Sequence, residues 1–194
     1  MYWYDFDRSD VYVGTGGAFK RKHCKTASSE EKAKIAAAAE RIPLFFSANM
    51  SLGVALLVEL ARQAAAAFPE AEIEIIEKHH DRKVDAPSGT ALMIADALCE
   101  VRPEATVNCG RSGQGKRTQN EIGIHAIRMG NIVGEHEVMI GTPNQTLTLK
   151  HEAHSRALFA EGALAAAAFL IGKEAGMYDM KSLISGAKIP QTVG

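Results

Sequence analysis

Glu70–Val101 reads EAEIEIIEKHHDRKVDAPSGTALMIADALCEV, and its two ends carry different hydrophobic periods. EAEIEIIE alternates polar and apolar residues, the period-2 pattern of a half-buried strand. SGTALMIADALCEV reads as a helix with Ser88 near its cap. Between them, His79, His80, Arg82 and Lys83 crowd into five positions, followed by Pro87 and the small residues Ser88, Gly89 and Thr90. A strand, a cationic turn and a helix in that order define one step of an α/β architecture.

The same alternation extends upstream. SEEKAKIAAAAE, Ser29 to Glu40, predicts a helix with serine at its start, acids in its first turn and alanine through its body. IPLFFSAN predicts a short buried strand running into a loop, and SLGVALLVELARQAAAAF a long helix with Leu52, Leu56 and Leu60 on its apolar face, closed by Pro69. After Pro103 the character changes. EIGIHAIRMGNIVGEHEVMIGTPNQTLTLKHEA contains three β-like runs broken at Gly130-Asn131 and at Gly141–Asn144, which predicts an antiparallel meander. GRSGQGKRTQNE before it is a long polar loop, and SRALFAEGALAAAAFLIGKEAG after it predicts a last helix.

Composition narrows the function classes. The chain of 194 residues is 46% hydrophobic and 23% charged, with a formal net charge of -1. That balance is ordinary for a globular protein, and it provides no basic surplus to neutralise a nucleic-acid backbone. Cys24, Cys99 and Cys109 form an odd set without CxxC spacing, so free thiols in a reducing compartment are expected. MYWYDFDRSD lacks a secretory n-region and h-region, and GALAAAAFLIG is too short for a bilayer span. The expectation is a cytoplasmic protein without membrane contact.

The cationic turn carries the chemistry. At the C-terminal end of a strand in an α/β fold, side chains face the crevice where ligands bind. The Ser88–Gly89–Thr90 helix start adds unpaired N–H groups and the positive end of a helix dipole, and glycine lets a ligand approach the backbone. Cations beside such a helix start predict a small ligand bearing carboxylate or phosphate groups. Histidine can exchange a proton near neutral pH, and a lysine among cations can act as a proton donor. The alternative is a solvated basic turn. His151 and His154 lie three apart, the wrong spacing for a zinc motif, and are read as surface or hydrogen-bonded residues; His125 and His136 are read as structural, and no metal site is expected.

EKHHDRKVDAPSGTAL resembles the signature segment of the dihydrodipicolinate reductase family, the 4-hydroxy-tetrahydrodipicolinate reductases of bacterial lysine and diaminopimelate synthesis. The likeness extends to FFSANMSLGV, IRMGNIVGEHEVMI and SRALFAEGALAAAAFLIGKEAGMYDM, covering about Ser29 to Leu183. The resemblance implies an oxidoreductase in which NADPH or NADH passes a hydride to a cyclic unsaturated dicarboxylate while the protein supplies a proton. It implies His79 as acid/base and Lys83 as proton donor. His80, Gly89 and Thr90 would hold the substrate, and the loop Ser47, Ala48, Asn49, Met50 would lie against the cofactor. It also implies a second domain whose sheet pairs subunits into a homo-oligomer, usually a tetramer.

The fold class expected is therefore α/β (α+β), with an incomplete Rossmann-like dinucleotide-binding part and a mixed or antiparallel-sheet domain for substrate and oligomerisation. The expected boundaries are 1–48 plus a returning C-terminal helix, 155–194, for the first, and 49–154 for the second. YDFDRSDVYV resembles the family's DFTxPE segment, which precedes its Gly-Thr-Thr-Gly cofactor element, with Asp7 in place of the threonine, and the Gly14–Gly17 run is not read as that element. The family's glycine-rich phosphate loop is not found ahead of it, and a further strand is expected to be deleted between Lys25 and Ser28. Weakened dinucleotide affinity follows, and Phe45 and Phe46 are expected to lose core around them. Two readings stay open: a reductase with impaired activity, or a non-catalytic, oligomerising dicarboxylate-binding remnant. Acyl or phosphate transfer by Ser88 is weaker, since helix capping explains that serine more simply.

Overall fold

The computed structural model describes residues 29–186, so the expectations resting on Asp7, Gly14–Gly17, Cys24 and the Lys25–Ser28 junction lie outside the described residues. The chain divides into two compact units. One takes the chain up to Ala55 and from Ala157 onward; the other is Leu56–Arg156. Among the described residues, no helix is long and apolar enough to cross a membrane.

The second unit is built on a five-stranded mixed sheet in the order β3-β4-β2-β5-β6. Its strands are β2 (Glu72–His79), β3 (Thr106–Cys109), β4 (Glu121–Arg128), β5 (Gly134–Thr142) and β6 (Gln145–Ala153). The alternation read in Glu70–Glu77 becomes alternate burial along β2, which points Ile73, Ile75, Glu77 and His79 to one face. Helices α2 (Leu52–Ala67) and α3 (Gly89–Val101) supply the core over that face. Leu57, Ala61, Ala65, Ile94 and Leu98 pack with Ile73, Ile75, Ile122, Ile124, Val138 and Ile140. Each fully buried aliphatic side chain contributes about 1.5–3 kcal/mol.

Helix α2 is rotated from the expected face. Val54, Leu57, Ala61 and Ala65 are buried, while Leu56 and Leu60 remain about 40% exposed. Fully buried Ala61 and Ala65 let the helix approach the sheet more closely than a leucine stripe would allow. Past its last turn, the buried Arg102 donates to the carbonyls of Ala65, Phe68 and Ala71, closing the helix end and the turn beyond it.

The antiparallel meander expected over 121–153 is corrected. Only β5 and β6 pair as a hairpin; β4 runs parallel to β2, and β2 lies between β4 and β5. The Gly130-Asn131 reversal thus carries the chain across the end of β2 rather than into a neighbouring strand. Met129 N–H donates to the His79 carbonyl at 2.9 Å, and Asp81 N–H to that of Gly130 at 3.2 Å. The long polar loop has the same origin: β3 and β4 are parallel neighbours, so the connection must travel back along the sheet. Strand β3 itself was not anticipated.

No helix of this unit packs on the opposite sheet face, which carries charge. Glu135 pairs with Lys78 at 3.0 Å and Lys150 at 3.1 Å, and Glu74 accepts from His125 and Arg117, each at 2.9 Å. The Glu74 carboxylate lies where a Cβ on Gly123 would stand, so a side chain there would displace Glu74 from its partners.

In the first unit, β1 (Pro43–Phe45) pairs in parallel with β7 (Gly176–Tyr178), accompanied by α1 (Ser29–Ala39), α4 (Ala157–Leu170) and α5 (Met180–Gly186). The single helix expected over 155–176 ends at Leu170, because Gly172 adopts φ 73° and the chain turns into β7. Phe45 has not lost its core. It is fully buried with Met50, Ala163, Ala166 and Leu170, and its ring meets Phe169 edge-on at 6.4 Å. Phe46 is half-buried.

Candidate active site

The Leu56–Arg156 unit gathers its polar interior at the C-terminal end of β2. Glu77 is completely buried, yet every side of its carboxylate is met. Arg128 donates to both oxygens at 2.7 and 2.8 Å, Ser88 N–H to Oε1 at 2.8 Å, and His79 Nδ1 lies 2.6 Å from Oε2. Burial alone would raise this carboxyl, but the hydrogen bonds from His79, Arg128 and Ser88 outweigh it and hold the group at about 2. Glu77 and His79 share a face because they are two residues apart on a strand, and Arg128 stands beside His79 in the β4 register.

His136, on β5, meets His79 edge-on with ring centroids 5.2 Å apart. Its Nε2 is 3.1 Å from Ser88 Oγ, which also accepts from Ala91 N–H at 3.2 Å and so caps α3. Burial first, then the neighbouring His79, pushes His136 down to about 4. His136, read from the sequence as structural, is buried and packs against His79 and Ser88 at the edge of the candidate site. A Cβ on Gly134 would stand 3.1 Å from His79 Nε2.

The remaining predicted residues lie around this core. His80 sits beside Arg156, 3.4 Å from its Nη2, and its Nδ1 is buried without a hydrogen bond. Burial, then Arg82 and Arg156, lowers the pKa of its ring. Lys83 is paired with Asp85 at 2.7 Å. Burial would raise the Asp85 carboxyl, but Lys83 draws it below its ordinary value. Arg82 turns away to Asp81 and Asn131. Gly89 and Thr90 form the half-buried first turn of α3. The Ser88 N–H is engaged by Glu77, which removes it from the anion-binding set expected at this helix start. His151 is half-buried in β6, opposite His136, and His154 lies exposed past the strand end. Among the described residues, no group of three His, Cys, Asp or Glu side chains could hold a metal ion.

Sequence reasoning missed Glu77, Arg128, His136 and Arg156. The spacing of Glu77 from His79 on a period-2 strand was the available signal for the first. The others depend on the β4-β2-β5 order and on the end of β6, which a linear reading does not supply.

The Ser47–Met50 loop belongs to the other unit. Ser47 Oγ donates to the Asn49 carbonyl at 2.7 Å, and Asn49 Oδ1 accepts from Ser51 N–H at 2.8 Å. Ser51 Oγ in turn accepts from Val54 N–H at 3.2 Å, capping α2. Ala48 is exposed, whereas the Met50 side chain is buried in the core. The four residues of the loop contain no cation for a phosphate.

An imidazole on a buried ion pair, beside cations and a helix start, is a set of groups suited to a small anion and to acid–base chemistry. The comparisons agree with that chemistry. A family model described as dihydrodipicolinate reductase, C-terminus, matches residues 53–184. The chain is 51% identical over 162 residues to the 4-hydroxy-tetrahydrodipicolinate reductase of Caldanaerobacter subterraneus subsp. tengcongensis, covering 82% of this chain and 64% of the relative. It is 42% identical over 176 residues to that of Alkaliphilus metalliredigens, covering 90% and 70%. Among solved structures, dipicolinate-bound dihydrodipicolinate reductase from Paenisporosarcina sp. TG-14 matches with a TM-score of 0.64 and 28% identity, over 78% of this chain and 59% of that one. The chain belongs to the dihydrodipicolinate reductase family. It spans 64–65% of the length of several relatives it matches.

Proposed function

We propose that this chain binds a cyclic dicarboxylate at the end of β2 and takes part in its reduction, as a 4-hydroxy-tetrahydrodipicolinate reductase of lysine and diaminopimelate synthesis. The observation that carries the reading is the buried Glu77–Arg128 pair beneath His79, set beside Arg156 and the start of α3. A dicarboxylate matches this set: one carboxylate meets Arg156 and His80, the other the first turn of α3 at Gly89 and Thr90. His79 exchanges the proton, and Lys83, released from Asp85, donates one. NADPH or NADH supplies the hydride when bound, with its nicotinamide against Ser47, Ala48, Asn49 and Met50.

In this reading, residues 1–48 and 155–194 form the dinucleotide-facing part and 49–154 the substrate part. The charged sheet face without a helix of its own is the surface for self-association, up to a tetramer, in the cytoplasm. The test is loss of reduced-nicotinamide absorbance with substrate generated in place by the preceding synthase, alongside calorimetric titration with dipicolinate. His79→Ala and Lys83→Ala abolish most turnover while dipicolinate still binds; unchanged rates in both refute the acid–base roles. Thr90→Val weakens dipicolinate binding more than cofactor binding. Dipicolinate binding without turnover by the folded wild type identifies a binding protein that does not catalyse.

A further inference from the structure

We infer that Glu77 is a positioning residue that keeps the proton of neutral His79 on Nδ1 and so presents a bare Nε2 to the ligand. The argument is a matter of hydrogen-bond supply. An ionised carboxylate only accepts, and Arg128 and Ser88 already occupy three of its accepting directions. The remaining direction meets His79 Nδ1 at 2.6 Å, in a setting that excludes water. Only a donor satisfies that contact. A bare Nδ1 there would set two lone pairs against each other. Neutral imidazole carries one N–H, so fixing it at Nδ1 leaves Nε2 as the accepting nitrogen, and protonation of the ring then places the exchangeable proton at Nε2.

The opposite side of the ring supports the same assignment. Among the described residues no hydrogen bond reaches Nε2. Gly134 keeps the adjacent position clear, because any side chain there would begin 3.1 Å from that nitrogen. Arg128 acts one step further back, holding both carboxylate oxygens so that Glu77 cannot rotate away from His79. A buried carboxylate that orients an imidazole is a known way to hold a general base in its working tautomer.

This inference rests on the proposed role of His79, and the tests separate the two. In the intact chain labelled with 15N-histidine, with His79→Gln used for assignment, neutral His79 is expected as the Nδ1–H tautomer. Predominant Nε2–H in the wild type overturns the inference without reference to activity. Glu77→Gln should give a mixed tautomer. Its turnover should fall about 100-fold, while the dipicolinate dissociation constant changes less than about threefold, because the ligand does not touch Glu77. Wild-type tautomer and rate in Glu77→Gln also overturn it. If that variant fails to fold, the wild-type spectrum alone decides. Full turnover by His79→Gln would remove the proton-transfer role, and with it any catalytic meaning of the positioning, even with the expected tautomer in hand.

Discussion

Replacing Gly162 by alanine sets two physical effects directly against each other. Gly162 lies within α4, where alanine is preferred over glycine by about 1 kcal/mol, so propensity alone predicts a more stable protein. Packing predicts the reverse. A Cβ at this position would stand 1.7 Å from the Met50 carbonyl oxygen and 2.9 Å from its carbon, where ordinary contact begins at 3.4 Å. The obstacle is backbone and cannot swing aside as a side-chain tip can. Helix α4 must therefore retreat, lifting Ala163, Ala166 and Leu170 from Phe45 and Met50. A gap of even 0.5–1 Å forfeits roughly a quarter to a half of each dispersion contact. Overpacking of this kind costs about 1–3 kcal/mol, and a rigid obstacle places Gly162→Ala at the upper end. After the propensity gain, a net loss of about 2 kcal/mol remains, equivalent to a Tm lower by roughly 4–8 °C. Thermal and urea unfolding followed by circular dichroism measures it. Ala168→Gly, at an exposed position of the same helix, sets the scale for propensity alone. A Gly162→Ala protein as stable as the wild type, or more so, would refute the close approach of α4 to the Met50 backbone.

Three further outcomes follow from the other unit. Gly134→Ala should weaken dipicolinate binding at least about tenfold with Tm almost unchanged, since the methyl fills space beside His79 Nε2 and calls for adjustments of only tenths of an ångström; unaltered affinity in calorimetry places the ligand elsewhere. Acid should destabilise the fold in two windows. Between the ordinary 6.5 and about 4, the unfolded chain takes up a proton that folded His136 refuses, so stability falls as pH drops, by about 3 kcal/mol in full. Between 4.5 and about 2, the contribution of Glu77, whose folded pKa is depressed, is lost as its carboxylate is protonated. Urea titrations across pH should find the upper window flattened in His136→Asn, and an unflattened profile would assign that slope to another group. Arg102→Leu should cost about 2–3 kcal/mol, because the carbonyls of Ala65 and Ala71 lose the guanidinium and that of Phe68 keeps only Ala71 N–H; an unchanged urea midpoint would refute the cap.

Much of the architecture was legible in local patterns. The alternation of Glu70–Glu77, the Ser88 cap and the alanine-rich helices each depend on a few neighbouring residues, and these elements appear in the structure near their expected bounds, except that the last helix ends at Leu170. Strand order was not legible. Gly130-Asn131 marks a reversal in either arrangement, and nothing local says that β2 enters between the two arms. The same gap hid His136 and Arg128 from the site, since their proximity to His79 exists only once β4 and β5 flank β2. The rotation of α2 was missed because large apolar residues were weighted over alanines, although Ala61 and Ala65 make the close contact. Ion pairs were equally invisible: Lys83 reads as one cation among several until Asp85 is seen to hold it.

The central place of β2 also orders events in time. Its pairing partners lie far along the chain, Ile73 meeting Ile122 on one side and Ile140 on the other, whereas β5 and β6 close on each other through a two-residue turn between Thr142 and Gln145. Local hairpins form in about 1–10 μs, while long-range parallel pairing must first overcome loop closure. The hairpin is thus the natural early structure, and β2 locks last, when both neighbours are present. During synthesis β2 emerges well before either partner and waits with both edges unpaired, the state in which strands are most prone to associate with other chains. The charges of Glu72, Glu74, Glu77 and Lys78 along this strand oppose such association in the interval. Glu77 thus serves two periods in the life of the molecule: as a repelling charge on a waiting strand, and later as the buried anchor of its histidine.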